Sequence, residues 1–535
     1  MLPDELLIYI FDVVYASLNF LRGDELHART IKREVAWMRV LSVCRRWRQL
    51  ILGTPKYWRI INVYNRAHWL QFCVPLSKDV SGRALAGVYF RKESFSRSLL
   101  TALLASDIAP HIATLSFAVR AETFKFLPNV LLRRLPNLTA LSLCCIDIWF
   151  DAALAGLSPQ RLARLTSLTL VNVGPPSNLA QYNNLRVLEL STPPPWDISM
   201  DELLNILDVW SSQLESLRLD RARSSTTHAN LGSSRAPSSL TFPCLRKIYL
   251  ANPRPFNTRF LSYLRLPSAT DVFIRDDVSH LEDEEFSDLD QAFSALLPQD
   301  PASIVPFLSA ITSVEFIPWR MEYVFRGKSD AHSLHLEIYK DSDYPLYWAH
   351  LTQSGLRDIL ELLSQADIRR FEIETNYDYD HFTQDDFEAA FKAFPNLDSL
   401  RLNGENPFEY VLELLAPRSA EVSSSIDPLS DEMGASRNTA GEMLCSRLRN
   451  LIIGDLSNRW GQNNELMAKI LDILRARAEQ GTRLDRFEIY LMHEEEIDHE
   501  KAAKEYVPLL QGLVGKVVYG NHEYVEYDWE RDMGL

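Results

Sequence analysis

His493 and His499 enclose Glu494, Glu495, Glu496 and Asp498. Imidazole and carboxylate are both zinc ligands, so this stretch comes nearest to a metal site in the chain. A spacing of six turns the two rings to different sides of a helix, and the acidic run between them describes a solvated turn better. Cys144 and Cys145 could do redox chemistry only if they faced each other, but adjacent strand residues point to opposite sides. Asn137-Leu138-Thr139 matches a glycosylation acceptor, yet Leu138 has the setting of a core residue. The nucleophile elbow G-x-S-x-G, the zinc motif H-E-x-x-H and both glycine-rich phosphate loops are missing. The sequence thus predicts no catalytic residues, metal or cofactor. An enzyme would need a site on loops of no recognised pattern.

Composition narrows the classes further. Of 535 residues, 46% are hydrophobic and 80 are Leu, which excludes a disordered chain, and only 19 are Gly, which excludes a collagen-like one. The six Cys show no Cys-x-x-Cys spacing, so they read as reduced thiols of a cytoplasmic or nuclear protein. No run reaches the 18 or so apolar residues of a membrane span. The apolar start from Leu6 to Phe20 imitates a signal peptide, but Asp4, Glu5 and Asp12 and the lack of a basic start argue against one. Residues 1–310 hold 33 basic and 29 acidic residues, while residues 311–535 hold 23 and 42. That second half, at net −19 (23 − 42), argues against a nucleic-acid ligand and leaves basic protein partners open.

The elements come from a recurring unit, Leu-x-x-Leu-x-Leu. It appears at Leu138-Leu141-Leu143, Leu165-Leu168-Leu170, Leu185-Leu188-Leu190, Leu214-Leu217-Leu219 and Leu245-Ile248-Leu250. It returns at Ile368-Phe371-Ile373, Leu397-Leu400-Leu402, Leu448-Leu451-Ile453 and Leu484-Phe487-Ile489. Ile112-Leu115-Phe117 reads as a first copy, and weaker copies end near Ile274, Phe316 and Ile338. Each copy predicts a short strand with alternate residues buried. Between copies lie helical segments, with Leu203, Leu204 and Leu207 on one face and Leu466, Ile470, Leu471 and Leu474 on another. The expected fold class is α/β. A doubly wound α/β domain is the alternative, though its usual phosphate turn is missing. The region resembles leucine-rich repeats across residues 110–520, without their usual Asn in register. The resemblance implies an irregular solenoid. Ser-rich inserts are expected at 221–241 and 417–443, a short acidic run at 280–290, a linker or capping segment at 63–109 and an acidic tail at 521–535.

The first 62 residues differ in kind. Pro3 suits a first helical turn, Asp4 and Glu5 suit its dipole, and Leu6, Leu7, Ile10, Phe11 and Val14 follow at helical spacing. A second helix is expected over residues 31–51, with Met38, Leu41, Cys44, Trp47 and Ile51 on one face and Gly53-Thr54-Pro55 as its stop. Two short helices make a poor core alone, so the apolar residues need cover. Leu2-Pro3-Asp4-Glu5-Leu6, then Val43-Cys44-Arg45-Arg46-Trp47, then Thr54-Pro55-Lys56-Tyr57-Trp58 resemble an F-box of the kind common in fungal proteins. A stretch of about 20 residues after the first helix is longer than the family's usual link.

The resemblance implies a substrate receptor of an SCF-type cullin–RING ubiquitin ligase. Leu2, Pro3, Glu5, Leu6, Ile10, Phe11, Val43, Cys44, Trp47 and Trp58 would meet a Skp-type adaptor. The repeats would hold a target protein, with no nucleic acid or membrane involved. The alternative is a repeat scaffold outside any ligase. Outward strand positions, among them Glu337, Glu372, Glu374, Arg401, Glu488 and Tyr490, are the expected target contacts. Their carboxylates suggest a basic target.

Overall fold

The computed structural model describes residues 2–19, 37–63, 67–78, 86–90, 103, 109–120, 135–146, 162–174, 179–191, 199–220, 240–268, 270–278, 292–318, 322–339, 348–374, 382–403, 406–416, 444–456, 464–491 and 499–521. The fold is mixed α/β with mostly parallel strands. The chain divides into one unit of Met1–Ser225 with Val525–Leu535 and another of Thr226–Tyr524. No described helix is long and apolar enough to cross a membrane.

In the first unit, strands β1 (Ile60–Val63), β2 (Ala86–Phe90), β3 (Ile112–Val119), β4 (Ala140–Cys145), β5 (Ser167–Val171), β6 (Val187–Ser191) and β7 (Ser216–Asp220) lie parallel in chain order. Each leucine unit supplies one strand. Its first Leu closes the preceding turn and the other two point inward: Leu165, Leu168 and Leu170 are at most 1% exposed. The neighbouring positions are partly exposed, giving the alternation of a sheet buried on one face. A doubly wound sheet would bury both faces, so these four strands do not follow that alternative. The described helices of this unit are α1 (Asp4–Asn19), α2 (Arg45–Leu52), α3 (Ala67–Leu76) and α4 (Met200–Trp210). Helix α4 starts on a capping box, Ser199 with Glu202, and buries Leu203, Leu204, Leu207 and Trp210.

The turns before the strands are tied to one another. Asn137 Nδ2 donates to Pro110 O (2.7 Å), Asn184 Nδ2 to Ala163 O (2.6 Å) and Gln213 Nε2 to Asn183 O (2.5 Å). Asn137 Oδ1 also accepts from Arg164 (2.7 Å), so this Asn serves the stacking of successive strands.

In the second unit the main sheet runs β9 (Lys247–Ala251), β11 (Asp271–Asp277), β14 (Ser333–Tyr339), β13 (Glu322–Lys328), β12 (Ser313–Pro318), β15 (Arg370–Glu374), β16 (Ser399–Asn403), β17 (Asn450–Leu456), β18 (Arg486–Leu491) and β19 (Lys516–Asn521). Among the described strands, only β13 is antiparallel to its neighbours. A separate parallel pair joins β8 (Leu240–Thr241) to β10 (Leu264–Arg265). Among the described residues its longer helices are α5 (Arg254–Ser262), α6 (Trp348–Leu362), α7 (Gln384–Ala393), α8 (Asn406–Leu415), α9 (Asn464–Glu479) and α10 (His499–Gln511), with one short turn of helix at Pro301–Ile304.

The segment 63–109, expected as a linker or cap, holds α3 and β2, and β2 pairs with β1 at the start of the first unit's sheet. Three expectations need correction. The strand β13 was not expected; it lacks the leucine triplet and alternates Tyr323, Phe325 and Gly327 inward instead. The second N-terminal helix is broken, with a 3-10 turn over Trp37–Ser42 and α2 starting only at Arg45. Cys44 causes the break: its extended backbone and Sγ, which accepts from Trp47 N (3.4 Å), cap α2. The insert expected at 221–241 ends in a strand, β8, and its remainder lies outside the described residues, as do 417–443, 279–291 and 492–498.

Candidate interaction surfaces

The N-terminal segment builds a small aromatic core around Phe11. Phe11 is 4% exposed and meets Trp47 edge to face (5.1 Å between centroids) and Tyr57 (6.4 Å). Tyr57 donates through its hydroxyl to Asp12 Oδ1 (2.8 Å) and Ile8 O (3.0 Å), locking α1 onto the turn Pro55–Trp58. Lys56 Nζ donates to Asp12 Oδ2 (2.7 Å). Burial alone would push the Asp12 carboxyl up, but the hydrogen bonds from Lys56 and Tyr57 outweigh it and hold it below the usual carboxylate range. Trp58 is 1% exposed, donates to Ile51 O (2.9 Å) and packs on Trp69 and Phe72. Arg46 reaches back to the chain start, donating to Leu2 O (2.7 Å) and ion-pairing with Asp4.

The apolar residues of α1 therefore divide between two faces. Leu7 and Phe11 face inward at 2% and 4% exposure, while Leu6 (50%), Tyr9 (67%), Ile10 (40%) and Val13 (55%) face outward. Leu2 (50%) and Val43 (59%) are exposed as well. Pro3, Glu5 and Cys44 are exposed, and Trp47 is half-buried. Two expected contacts, Phe11 and Trp58, are corrected: Phe11 is buried in the segment's own core and Trp58 against Trp69 and Phe72 of α3, so neither offers its side chain to a partner. Tyr9 and Val13 were missed. Their signal was present, since Leu6, Tyr9, Ile10 and Val13 keep the spacing of one helix face.

The second surface is the face of the second unit's sheet opposite the inward leucines. Its register aligns Tyr249, Phe273, His335, Arg326, Glu315, Glu372 and Arg401 across seven strands. Tyr249 stacks on Phe273 (4.2 Å) and Phe273 on His335 (4.3 Å). Charges then alternate in pairs: Arg275 with Glu337 (3.2 Å), Arg326 with Glu315 (2.9 Å), Arg401 with Glu372 (3.1 Å) and Arg486 with Glu488. Tyr490 donates to Glu488 Oε2 (2.5 Å).

The expected acidic face is thus corrected. Glu337 and Glu488 are 3% exposed and each meets an arginine, so neither offers a free carboxylate. Glu372 and Arg401 are partly buried and neutralise each other; Glu374 and Tyr490 are partly buried too. Burial raises the Glu337 and Glu322 carboxyls, and raises Glu372 with help from nearby Glu315. Arg326 with Glu315 and Arg401 with Glu372 join strands consecutive in the chain and Arg486 shares β18 with Glu488, whereas β14 sets Glu337 beside Arg275 of β11 out of chain order. Linear spacing could not reveal that.

His335 is 3% exposed, and burial, then Arg326, hold its imidazole well below the usual histidine value. Glu315 opposes that shift, while Arg275 and Lys328 reinforce it. The folded chain keeps the ring neutral where the unfolded chain takes up a proton, so stability is lost as pH falls from 6.5 toward the folded value. The raised carboxyls of Glu322, Glu337 and Glu372 act in the opposite sense. Comparison with His335→Phe isolates the histidine. Its melting temperature should fall by about 2–4 °C less than that of the native protein between pH 7.5 and 5.5. Parallel pH profiles would show that the ring is already free to titrate in the folded state.

Cys144 and Cys145 point to opposite faces of β4, the first partly exposed and the second buried. Among the described residues, no group of three or more His, Cys, Asp or Glu could hold a metal ion. No protein-family model matches the chain, and no curated protein matches it.

Proposed function

We propose that the protein is a substrate-recognition subunit of an SCF-type cullin–RING ubiquitin ligase. Its first 62 residues, which resemble an F-box, dock on a Skp-type adaptor, and the sheet face of the repeat-like region holds a target protein. The observation that carries this reading is the outward face of α1. Leu6, Tyr9, Ile10 and Val13, with Leu2 and Val43, stay exposed on a segment that already has a core of its own. Each side chain of this size gains ~1.5–3 kcal/mol when buried, so a partner helix laid on this face would be held firmly. The recurring leucine strands support the second half of the reading, since such arrays present extended binding surfaces. The protein itself makes and breaks no bonds in this role. It raises the effective concentration of a target lysine near the ubiquitin-charged enzyme.

The test is co-expression with a Skp-type adaptor. The two proteins should co-purify through size exclusion as one complex. A folded receptor chain that elutes alone would favour a scaffold outside any ligase.

A further inference from the structure

We propose that the strand-start row on the open face of the second unit's sheet is a docking line for an anionic, extended peptide segment. The inference gives the target's chemistry and rests on the proposed function only in calling that peptide part of a target.

Register alone defines the row: Lys328, Ser313, Arg370, Ser399, Asn450, Arg486 and Lys516 sit side by side on β13, β12, β15, β16, β17, β18 and β19. All seven share the face of Glu315, Glu372 and Glu488, because each lies two positions before or after an outward residue of its strand. Four are cations, three are neutral hydrogen-bonding residues and none is a carboxylate. Lys328, Arg370, Arg486 and Lys516 are exposed, while Ser313, Ser399 and Asn450 are half-buried between them. Arg486 also pairs with Glu488. Beyond Lys328 the row continues through Ser333 to Asp271, whose carboxylate already accepts from Ser333 N (2.9 Å) and Oγ (3.1 Å).

The turns beside the row do not cancel it. Asp367 and Asp485 are bound to Arg369 and Arg449, at 3.0 and 3.2 Å. Arg447 donates to Asn396 (2.6 Å) and Arg483 to the carbonyls of Leu513 and Val514, while Asp330 and Asp398 beside the row offset these two charges, so the turns are neutral together and the row's own four cations remain. The excess positive charge lies in the chain half whose net charge is −19, where cations so aligned are least expected by composition.

Seven strands about 4.8 Å apart make a row of about 29 Å, the length of some nine residues of extended chain. A segment lying across the strands would meet cations at the first, third, sixth and seventh positions of the row, with hydroxyl and amide donors between. Carboxylate or phosphate side chains answer that pattern. Duplex nucleic acid does not answer it as well, because the acidic remainder of the chain would repel a long polyanion.

The experiment is fluorescence anisotropy with the full-length protein and labelled nine-residue peptides. One alternates Glu with Ser, one replaces each Glu by phosphoserine, and one replaces each Glu by Gln. Binding of either charged peptide, weakening with salt, supports the proposal, and the tighter of the two identifies the anion. Lys328→Gln/Arg370→Gln/Lys516→Gln should weaken that binding about ten-fold. A control with the same charge change on helices, Lys392→Gln/Lys469→Gln/Lys504→Gln, should shift it less than about two-fold. Equal affinity for the Gln peptide, equal losses in the two variants, or tighter binding of duplex DNA would overturn the proposal. Adaptor co-purification should be untouched by the row variant. Its failure in the native protein, with peptide binding intact, would overturn the ligase reading alone.

Discussion

Trp210→Ala should cost the first unit about 3–5 kcal/mol of stability. The indole closes the last turn of α4 at 0% exposure, on the face that carries Leu203, Leu204 and Leu207. Its Nε1 donates to Tyr182 O (2.8 Å), which ties the helix to the turn before β6. Truncation leaves a large cavity and a buried carbonyl without its donor, and the two losses add. Trp210→Phe keeps most of the volume and loses the hydrogen bond, so about 1–2 kcal/mol is expected. Urea unfolding followed by far-UV circular dichroism measures both. A loss under 1 kcal/mol for the alanine variant would mean that α4 is not packed as described.

The second large effect belongs to Arg477 on α9. It is 1% exposed, and Nη2 donates to Cys445 O (3.1 Å) and Leu448 O (3.4 Å). These carbonyls end the turn that leads into β17, so the guanidinium fastens that turn to the helix. Burial draws the arginine's pKa down and pushes the neighbouring Cys445 thiol up to about 12. Arg477→Ala should cost ~3–5 kcal/mol, since the carbonyls lose their donor and the stem its packing. Arg477→Met fills the space without burying a charge and should cost clearly less. Denaturation of the second unit's helical signal distinguishes the two variants. Equal losses would show that the charge, not the volume, holds the turn.

The sequence made some elements plain and hid others for physical reasons. Each strong leucine unit marked a strand, because three apolar residues at that spacing can all be buried only in a turn followed by an extended segment; Leu214, Leu217 and Leu219 are each at most 1% exposed. The strands β1, β2 and β13 use other residues to the same end, so no triplet announced them. The apolar stripe of α1 was visible, but not its division into an inner and an outer face. That division depends on Trp47 and Tyr57, which fold back onto Phe11 from 36 or more positions away. The Asn usual in leucine-rich repeats is absent in register, but two Asn stand one position earlier and bond the backbone or a neighbouring Asn. Asn172 sits at φ 55° and donates to Cys145 O (3.1 Å), and buried Asn252 donates to Asn257 Oδ1 (3.2 Å). The acidic outward residues have arginine partners, and one of these, Arg275 beside Glu337, depends on the pairing of β11 with β14, strands that the chain order does not set side by side.

The central claim is that the outer face of α1 receives an adaptor, and a calorimetric titration of a Skp-type adaptor into the full-length protein tests it most directly. The native chain should bind with a negative heat-capacity change, the mark of apolar surface leaving water. Leu6→Asp/Ile10→Asp should keep its circular dichroism and lose at least about 100-fold in affinity, or ~2.7 kcal/mol. Unchanged affinity in that folded variant, or no heat of binding from the native chain, would contradict the account.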